Sequence, residues 1–291
     1  MTRRVLVTGA TGTVGRHVAA GLDDRDATVA AGTRDTDRAR DRVDGADNYV
    51  AFDFERPETW GAALEGVDGV FLVRPPSVDT DRVTDFVDAA GRVGVDQMAY
   101  LSTLGADRNV LIPHHRIERR IADAGVPYTF LRASFFMQNF HEVHGRDVVE
   151  RDEIFLPAGE GATSFVDARD VGAVGATVLV DPGHENAAYD LTGSAALPYD
   201  EVAAVFSDVL ERGITYANPS IPQFVRRMWS YGHPPGYIAV MVGIYTTARL
   251  GLASRVTDDV ERLLDRPPRQ LDEYVADYAG EFRRDGVLES E

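Results

Sequence analysis

Cysteine and lysine are both absent from this 291-residue chain. The missing thiols exclude disulfides, thiolate nucleophiles and zinc–thiolate sites. All 30 basic residues are therefore arginines, set against 31 Asp and 16 Glu, for a net charge of −17. That negative balance argues against nucleic acid or an anionic membrane as partner, because phosphate binding needs clustered cations. The acidity reads as a solvated skin suited to concentrated salt, where self-repulsion is screened, in preference to a cation-binding or anion-repelling surface. A halophilic setting is the expectation. Long apolar runs are missing as well. The longest candidate, 237–248, falls short of the roughly 18 residues of a membrane span and runs into Arg249. The first residues lack the charged-then-apolar plan of a secretory signal, so a soluble, cytoplasmic protein is expected. The length allows one large core, or one core with an appended lobe.

What is present is concentrated in the first fifteen residues. A β-branched run, Val5-Leu6-Val7, leads without a spacer into Thr8-Gly9-Ala10-Thr11-Gly12-Thr13-Val14-Gly15. This is a Gly-x-x-Gly-x-x-Gly turn between a buried strand and an amphipathic helix carrying Val14, Val18, Ala19 and Leu22. Gly9 allows a sharp backbone turn, Gly12 lets a diphosphate approach the main chain, and Gly15 lets the helix pack closely. The helix N-terminus then offers N–H groups and partial positive charge to the phosphates. Thr8, Gly9, Thr11, Gly12, Thr13, Val14 and Gly15 are the candidate residues of a dinucleotide loop.

Strand and helix signals then alternate. Strands are expected at 4–8, 28–33, 49–53, 69–73, 98–102 and 128–132, with helices at 14–22, 57–64, 80–93 and 113–124. The alternation implies an α/β fold, a Rossmann-type doubly wound parallel sheet with a small α-rich C-terminal lobe. Residues 1–132 form the expected dinucleotide-binding domain, with 164–192 returning to it, and 133–163 with 193–291 form the lobe. In the later part a strand is expected at 154–157, a turn at 159–163, helices at 170–180 and 198–210, and a strand at 214–217. Beyond Asn218 the sequence is helical, aromatic and Pro-punctuated.

Ligands sit at the carboxyl ends of the strands in such sheets, so the residues just after each strand carry the information. The second strand ends Thr33-Arg34 with Arg38 one helical turn later, and no carboxylate stands at its tip. An NAD site would present an acid there, whereas an arginine fork suits the 2′-phosphate of NADP. NADP (NADPH) is therefore the expected cofactor, with Thr33, Arg34 and Arg38 at the phosphate. The alternative for Arg34 is a surface ion pair with Asp35 or Asp37. Asp53 and Phe54 follow the third strand, where Asp53 can approach the adenine amine, cap the 57–64 helix, or do both. Val73 and Arg74-Pro75-Pro76 follow the fourth, a rigid segment near the ribose.

Several segments together resemble the NmrA-like family of atypical short-chain dehydrogenases/reductases. They are the glycine loop, Asp68-Gly69-Val70-Phe71-Leu72, Tyr100-Leu101-Ser102-Thr103-Leu104-Gly105-Ala106, Val126-Pro127-Tyr128-Thr129-Phe130-Leu131-Arg132, Ser164-Phe165-Val166-Asp167-x-x-Asp170 and Tyr189-x-Leu191-Thr192-Gly193. The resemblance covers nearly the whole chain. It implies NADP(H) binding with quinone or carbonyl reduction, or a redox-sensing role. It also implies a departure: ordinary short-chain reductases use a Tyr proton donor with a Lys four residues on. Here His114 stands at the Lys position and Val110 at the Tyr position. His114 is the candidate ribose holder or proton relay, oriented by Glu118 one turn later. Its alternative is a solvated pair with His115. Ser102 and Thr103 are the candidate substrate-orienting hydroxyls, or else bond to neighbouring backbone. By the same resemblance Phe135 or Phe136 covers the nicotinamide, or both are structural; Phe136 is the cofactor-site candidate.

No metal site is expected, since His141-x-x-His144 lacks a third ligand. The segment containing Phe224, Met228, Trp229, Tyr231, Tyr237, Ile238, Met241, Ile244 and Tyr245 lines an apolar pocket, fills the lobe or forms a homodimer surface. Two functions follow. One is an NADPH-dependent oxidoreductase reducing a quinone or conjugated carbonyl by hydride transfer. The other is a non-catalytic NADP(H)-binding redox sensor. A sugar-nucleotide epimerase is disfavoured because it too leans on a Tyr–Lys pair.

Overall fold

Apolar strands buried on both faces dictate a sheet covered by helices on each side, and the structure has one. The computed structural model describes residues 2–25 and 27–283. Two compact units divide the chain: residues up to Ala133 with Ala168–Leu191 and Asp259–Arg266, and Ser134–Asp167 with Thr192–Asp258 and the residues from Pro267 onward.

The first unit contains β1 (Arg4–Thr8), α1 (Gly15–Asp23), β2 (Thr28–Thr33), α2 (Thr36–Arg40), β3 (Asn48–Ala51), α3 (Trp60–Leu64), β4 (Gly69–Val73), α4 (Thr80–Val93), β5 (Gln97–Thr103), α5 (Pro113–Asp123), β6 (Tyr128–Ala133), α6 (Ala168–Val180), β7 (Ala187–Leu191) and α7 (Asp259–Leu264). The seven strands order as β7-β6-β5-β4-β1-β2-β3, and every neighbouring pair is parallel. The order reverses between β1 and β4, which opens the crevice where a dinucleotide binds in such sheets.

Local chemistry explains the elements. Val5, Leu6 and Val7 of β1 and Val70, Phe71 and Leu72 of β4 are fully buried, as a central parallel strand requires. The α4 helix begins where the Asp79 carboxylate accepts from Asp81 N–H and ends at Gly94, whose φ of 77° provides a left-handed cap. It buries Val83, Phe86, Val87 and Ala90, one stripe at helical spacing. Phe86 then joins an aromatic cluster, with Phe52 at 4.9 Å, Phe54 at 5.6 Å and Trp60 at 5.6 Å between ring centroids.

In the second unit, Ala162–Val166 lies between Ala196–Pro198, antiparallel, and Phe135–Phe136, parallel. The expected turn at 159–163 thus gives way to a strand from Ala162 onward. Helices Tyr199–Leu210, Ile221–Ser230, Pro235–Arg249 and Leu271–Asp277 pack on a core that includes Phe140, Phe165, Phe206, Phe224 and Tyr274. The aromatic segment splits. Phe224, Met228, Ile238, Met241 and Tyr245 fill this core, whereas Trp229, Tyr237 and Ile244 are exposed. His141 and His144 turn to different tyrosines, Tyr274 and Tyr245. Among the described residues no helix is long and apolar enough to cross a membrane.

Candidate active site

The glycine loop closes on itself. Gly12 N–H donates to the Gly9 carbonyl at 2.9 Å, and Gly9 has a φ of 62°, a left-handed conformation that glycine adopts without strain. A Cβ on Gly15 would lie 2.2 Å from the Gly9 carbonyl oxygen, so only glycine permits α1 to start this close to the loop. The lip of the turn, Thr11 and Gly12, is exposed, and a Cβ on Gly12 would meet only the Gly9 oxygen. No side chain caps the start of α1 at Val14, and its first turn holds no acid. An exposed backbone concavity ending in an uncapped helix start fits an anion such as a diphosphate. Thr8 ties the loop to β4: its hydroxyl donates to the Phe71 carbonyl at 3.1 Å and accepts from Val73 N–H at 2.9 Å. Val73 stands against Gly9 as a result.

At the tip of β2, Arg34 is exposed and makes no ion pair among the described residues. The carboxylate beside it is engaged elsewhere: Asp35 accepts from Arg38 N–H at 3.0 Å and caps α2. The Arg38 side chain is likewise exposed and unpaired among the described residues. Thr33 is buried, its hydroxyl turned into the local Asp35 turn. Asp53 does not cap the helix that follows. Its carboxylate accepts from Glu55 N–H at 3.0 Å, and the short 3-10 turn Pro57–Thr59 is preceded by Arg56 instead. Phe54 is a core residue of the aromatic cluster, 4 % exposed, because the strand's end folds its ring under the sheet toward Phe86.

Where β5 meets α5, four side chains interlock. The Tyr100 hydroxyl lies 2.7 Å from Nδ1 of His114, and the Ser102 hydroxyl donates to Glu118 Oε1 at 2.5 Å. The pairing follows from two periods. Tyr100 and Ser102 share one face of β5, spanning roughly 6.6 Å, while His114 and Glu118 share one face of α5, spanning about 6 Å. Glu118 also receives Arg132 from β6, Nε at 3.0 Å and Nη2 at 2.7 Å, and Arg132 is the register partner of Ser102. The side chains of this pair are only 15 % and 6 % exposed, so the bidentate geometry is what makes two buried charges tolerable. Glu118 therefore does not orient His114; its oxygens are committed to Ser102 and Arg132.

His114 is held neutral. Burial, then the positive charge of Arg74, push its pKa down to about 4 against a smaller opposing pull from Glu118. Burial likewise raises the Tyr100 phenol, which keeps its proton. Among the described residues the buried Tyr100 hydroxyl has no other partner; donating to Nδ1 satisfies its proton, and this arrangement leaves the imidazole proton on Nε2. His115 is separate in role, with Nδ1 2.7 Å from the Ala106 carbonyl. Thr103 is half-buried at the strand tip, with no side-chain hydrogen bond among the described residues. Phe136 belongs to the second unit, on the strand paired with Val166. The sequence reading passes over Tyr100, although strand alternation with Ser102 marks it as the residue next along the same face.

Comparison with known proteins places this geometry. The model of the NmrA-like family matches residues 1–275. The chain belongs to the NmrA-like family. An NAD(P)H azoreductase of Xenophilus azovorans is 34% identical over 283 residues, covering 96% of this chain and 99% of that protein. Quinone oxidoreductase 2 of Escherichia coli is 26% identical over 279 residues, covering 94% and 97%. The crystal structure of a Citrobacter sp. triphenylmethane reductase complexed with NADP(H) superposes with a TM-score of 0.82 at 26% identity, covering 94% of this chain and 99% of that one.

Proposed function

We propose that this protein is an NADPH-dependent oxidoreductase that reduces a quinone or a related conjugated acceptor. The observation that carries the reading is the combination at the sheet's switch point: an exposed glycine loop with an uncapped helix start, and an unpaired Arg34 at the tip of the neighbouring strand. Full-length similarity to an azoreductase and a quinone oxidoreductase supports it.

In this reading the loop from Thr8 to Gly15 holds the diphosphate, and Arg34 with Arg38 grips the 2′-phosphate. Bound NADPH supplies a hydride. Ser102 is a positioning residue, its hydrogen given to Glu118, and Thr103 is the hydroxyl left for the acceptor. His114 offers the Nε2–H as a hydrogen-bond donor fixed by Tyr100. A neutral imidazole is a weak acid, which suits an acceptor whose reduced oxyanion is stabilised by conjugation and takes its proton from water.

The test is NADPH oxidation with a panel of benzoquinones and naphthoquinones, without oxygen, at low and multimolar salt. Turnover at a rate well above the uncatalysed background is expected. The burial of both Tyr100 and His114 favours one competitor, a non-catalytic NADP(H) sensor. Tight NADPH binding with no turnover on any acceptor would establish that competitor instead.

A further inference from the structure

The arginine at the carboxyl end of β4 has no partner among the described residues. Arg74 directly follows β4, makes no hydrogen bond or ion pair among the described residues, and carries an Nε that is buried without an acceptor. Three arginines near β5 and α5 are held by carboxylates, Arg132 by Glu118, Arg116 by Asp81 and Arg120 by Asp88. There is no lysine in the chain. A guanidinium nitrogen buried without a protein acceptor costs stability until a water or a ligand satisfies it, and its place in the sheet decides what that ligand would be.

Position defines that ligand. Val73 pairs in register with Leu101, so Arg74 follows at the level of Ser102 on the neighbouring strand. On the other side Val73 lines the space beside Gly9 of the dinucleotide loop, where an added Cβ on Gly9 would come 3.5 Å from the Val73 Cβ. Arg74 thus stands between the loop and the Tyr100–His114 pair, close enough for its charge to act on both of those side chains. Pro75 and Pro76 follow, and proline biases the backbone of the residue before it toward extended conformations, which restricts the main chain from which Arg74 projects.

We infer that Arg74 is the anion-stabilising catalytic residue, receiving the oxyanion that forms when a conjugated carbonyl accepts a hydride. This rests on the reductase reading above. When the carbonyl compound takes up hydride, a new bond to hydrogen forms and the π pair moves to oxygen as an oxyanion. The dihydronicotinamide is oxidised in the same step, and water then supplies one proton. Arg74 offers a fixed positive charge at the developing oxyanion, and His114 Nε2–H offers a second donor. The site therefore stabilises charge where ordinary short-chain reductases deliver a proton.

Arg74→Gln and Arg74→Lys, assayed with a quinone substrate of the wild type, test this. For Arg74→Gln, kcat falls by on the order of 10²-fold while the NADPH dissociation constant stays within about threefold; Arg74→Lys recovers part of kcat. A second readout needs no turnover. 4-Nitrophenol titrated in the presence of saturating NADP+ ionises at lower pH on the wild-type protein than in buffer, and Arg74→Gln abolishes that difference. Unchanged kcat in Arg74→Gln overturns the inference, as does a weakened NADPH affinity with kcat retained, which would make Arg74 a cofactor ligand. Absence of a phenolate shift on the wild type overturns it too. If the wild type reduces no quinone, the reductase reading fails, and the phenolate shift still decides whether Arg74 forms an anion site.

Discussion

Tyr100 and His114 are joined through a hydrogen bond of 2.7 Å between the phenol oxygen and Nδ1, a strand residue fixing the tautomer of a helix residue. Tyr100→Phe removes that donor while keeping the ring in the core. Nδ1 then lacks a partner, and the proton distributes over both nitrogens. Nitrogen NMR of the His114 ring should show a single Nε2–H tautomer in the wild type and a mixture in the variant. The stability cost should be about 1 kcal/mol by denaturant titration. A single unchanged tautomer in Tyr100→Phe would show that the phenol does not set it.

Acid should destabilise the protein through its buried histidines. His144 is fully buried, bonded through Nε2 to Tyr245, and burial followed by the charge of His233 pushes its pKa down to about 4. A histidine near 6.5 when unfolded and about 4 when folded binds more protons in the unfolded state between those values. Stability contributed by the neutral form is complete above pH 6.5 and is lost as pH falls toward 4, by up to about 3 kcal/mol. His114 acts in the same direction. Denaturation midpoints at pH 7 and pH 4.5 should differ less in His144→Gln than in the wild type; equal differences would remove His144 from the account.

Glu118→Gln removes the carboxylate hydrogen-bonded to the largely buried Arg132, leaving only the more distant charges of Asp107 and Asp190. Breaking a buried pair from one side typically costs about 3–5 kcal/mol, far more than removing an exposed pair. Arg116→Ala, which breaks the exposed contact to Asp81, should cost less than about 1 kcal/mol. Guanidinium unfolding of the two variants measures the contrast, and similar losses would refute the special standing of the Glu118 site.

Much of the sheet was legible because burial on both faces writes itself as apolar runs. Residues 4–8, 28–33 and 69–73 are strands at their expected limits, and 80–93 is a helix at its expected limits. The short, polar or half-exposed elements were not: α2 rests on a single aspartate cap, and β7 is a sheet edge with mixed burial. At the site, the glycine loop is contiguous in sequence and so is readable. The Tyr100–His114 and Ser102–Glu118 pairs join residues 14 and 16 positions apart, and no local period links a strand face to a helix face. Glu118 was misdirected for that reason, since i,i+4 spacing to His114 is visible in sequence while Arg132 across two strands is not.

Arg34→Ala should change cofactor preference. If the free guanidinium grips a 2′-phosphate, the variant loses NADPH affinity by roughly ten- to a hundredfold, as expected for a charge-assisted contact, with NADH affinity nearly unchanged. Fluorescence titration with both nucleotides measures this. Equal losses for the two would assign Arg34 to fold stability.

The exposure of Arg34 and Arg38 has a consequence beyond affinity. A charge that meets its ligand through solvent is screened, over about 3 Å in molar salt against about 10 Å in dilute buffer, whereas the enclosed Arg132–Glu118 pair is sheltered from mobile ions. The molecule thus holds two electrostatic compartments, one open to the medium and one sealed from it. With Arg34 and Arg38 assigned to the 2′-phosphate as proposed, the preference for phosphorylated over unphosphorylated nicotinamide nucleotides is expected to fall with rising ionic strength, while the framework held by Arg132 and Glu118 stays unchanged.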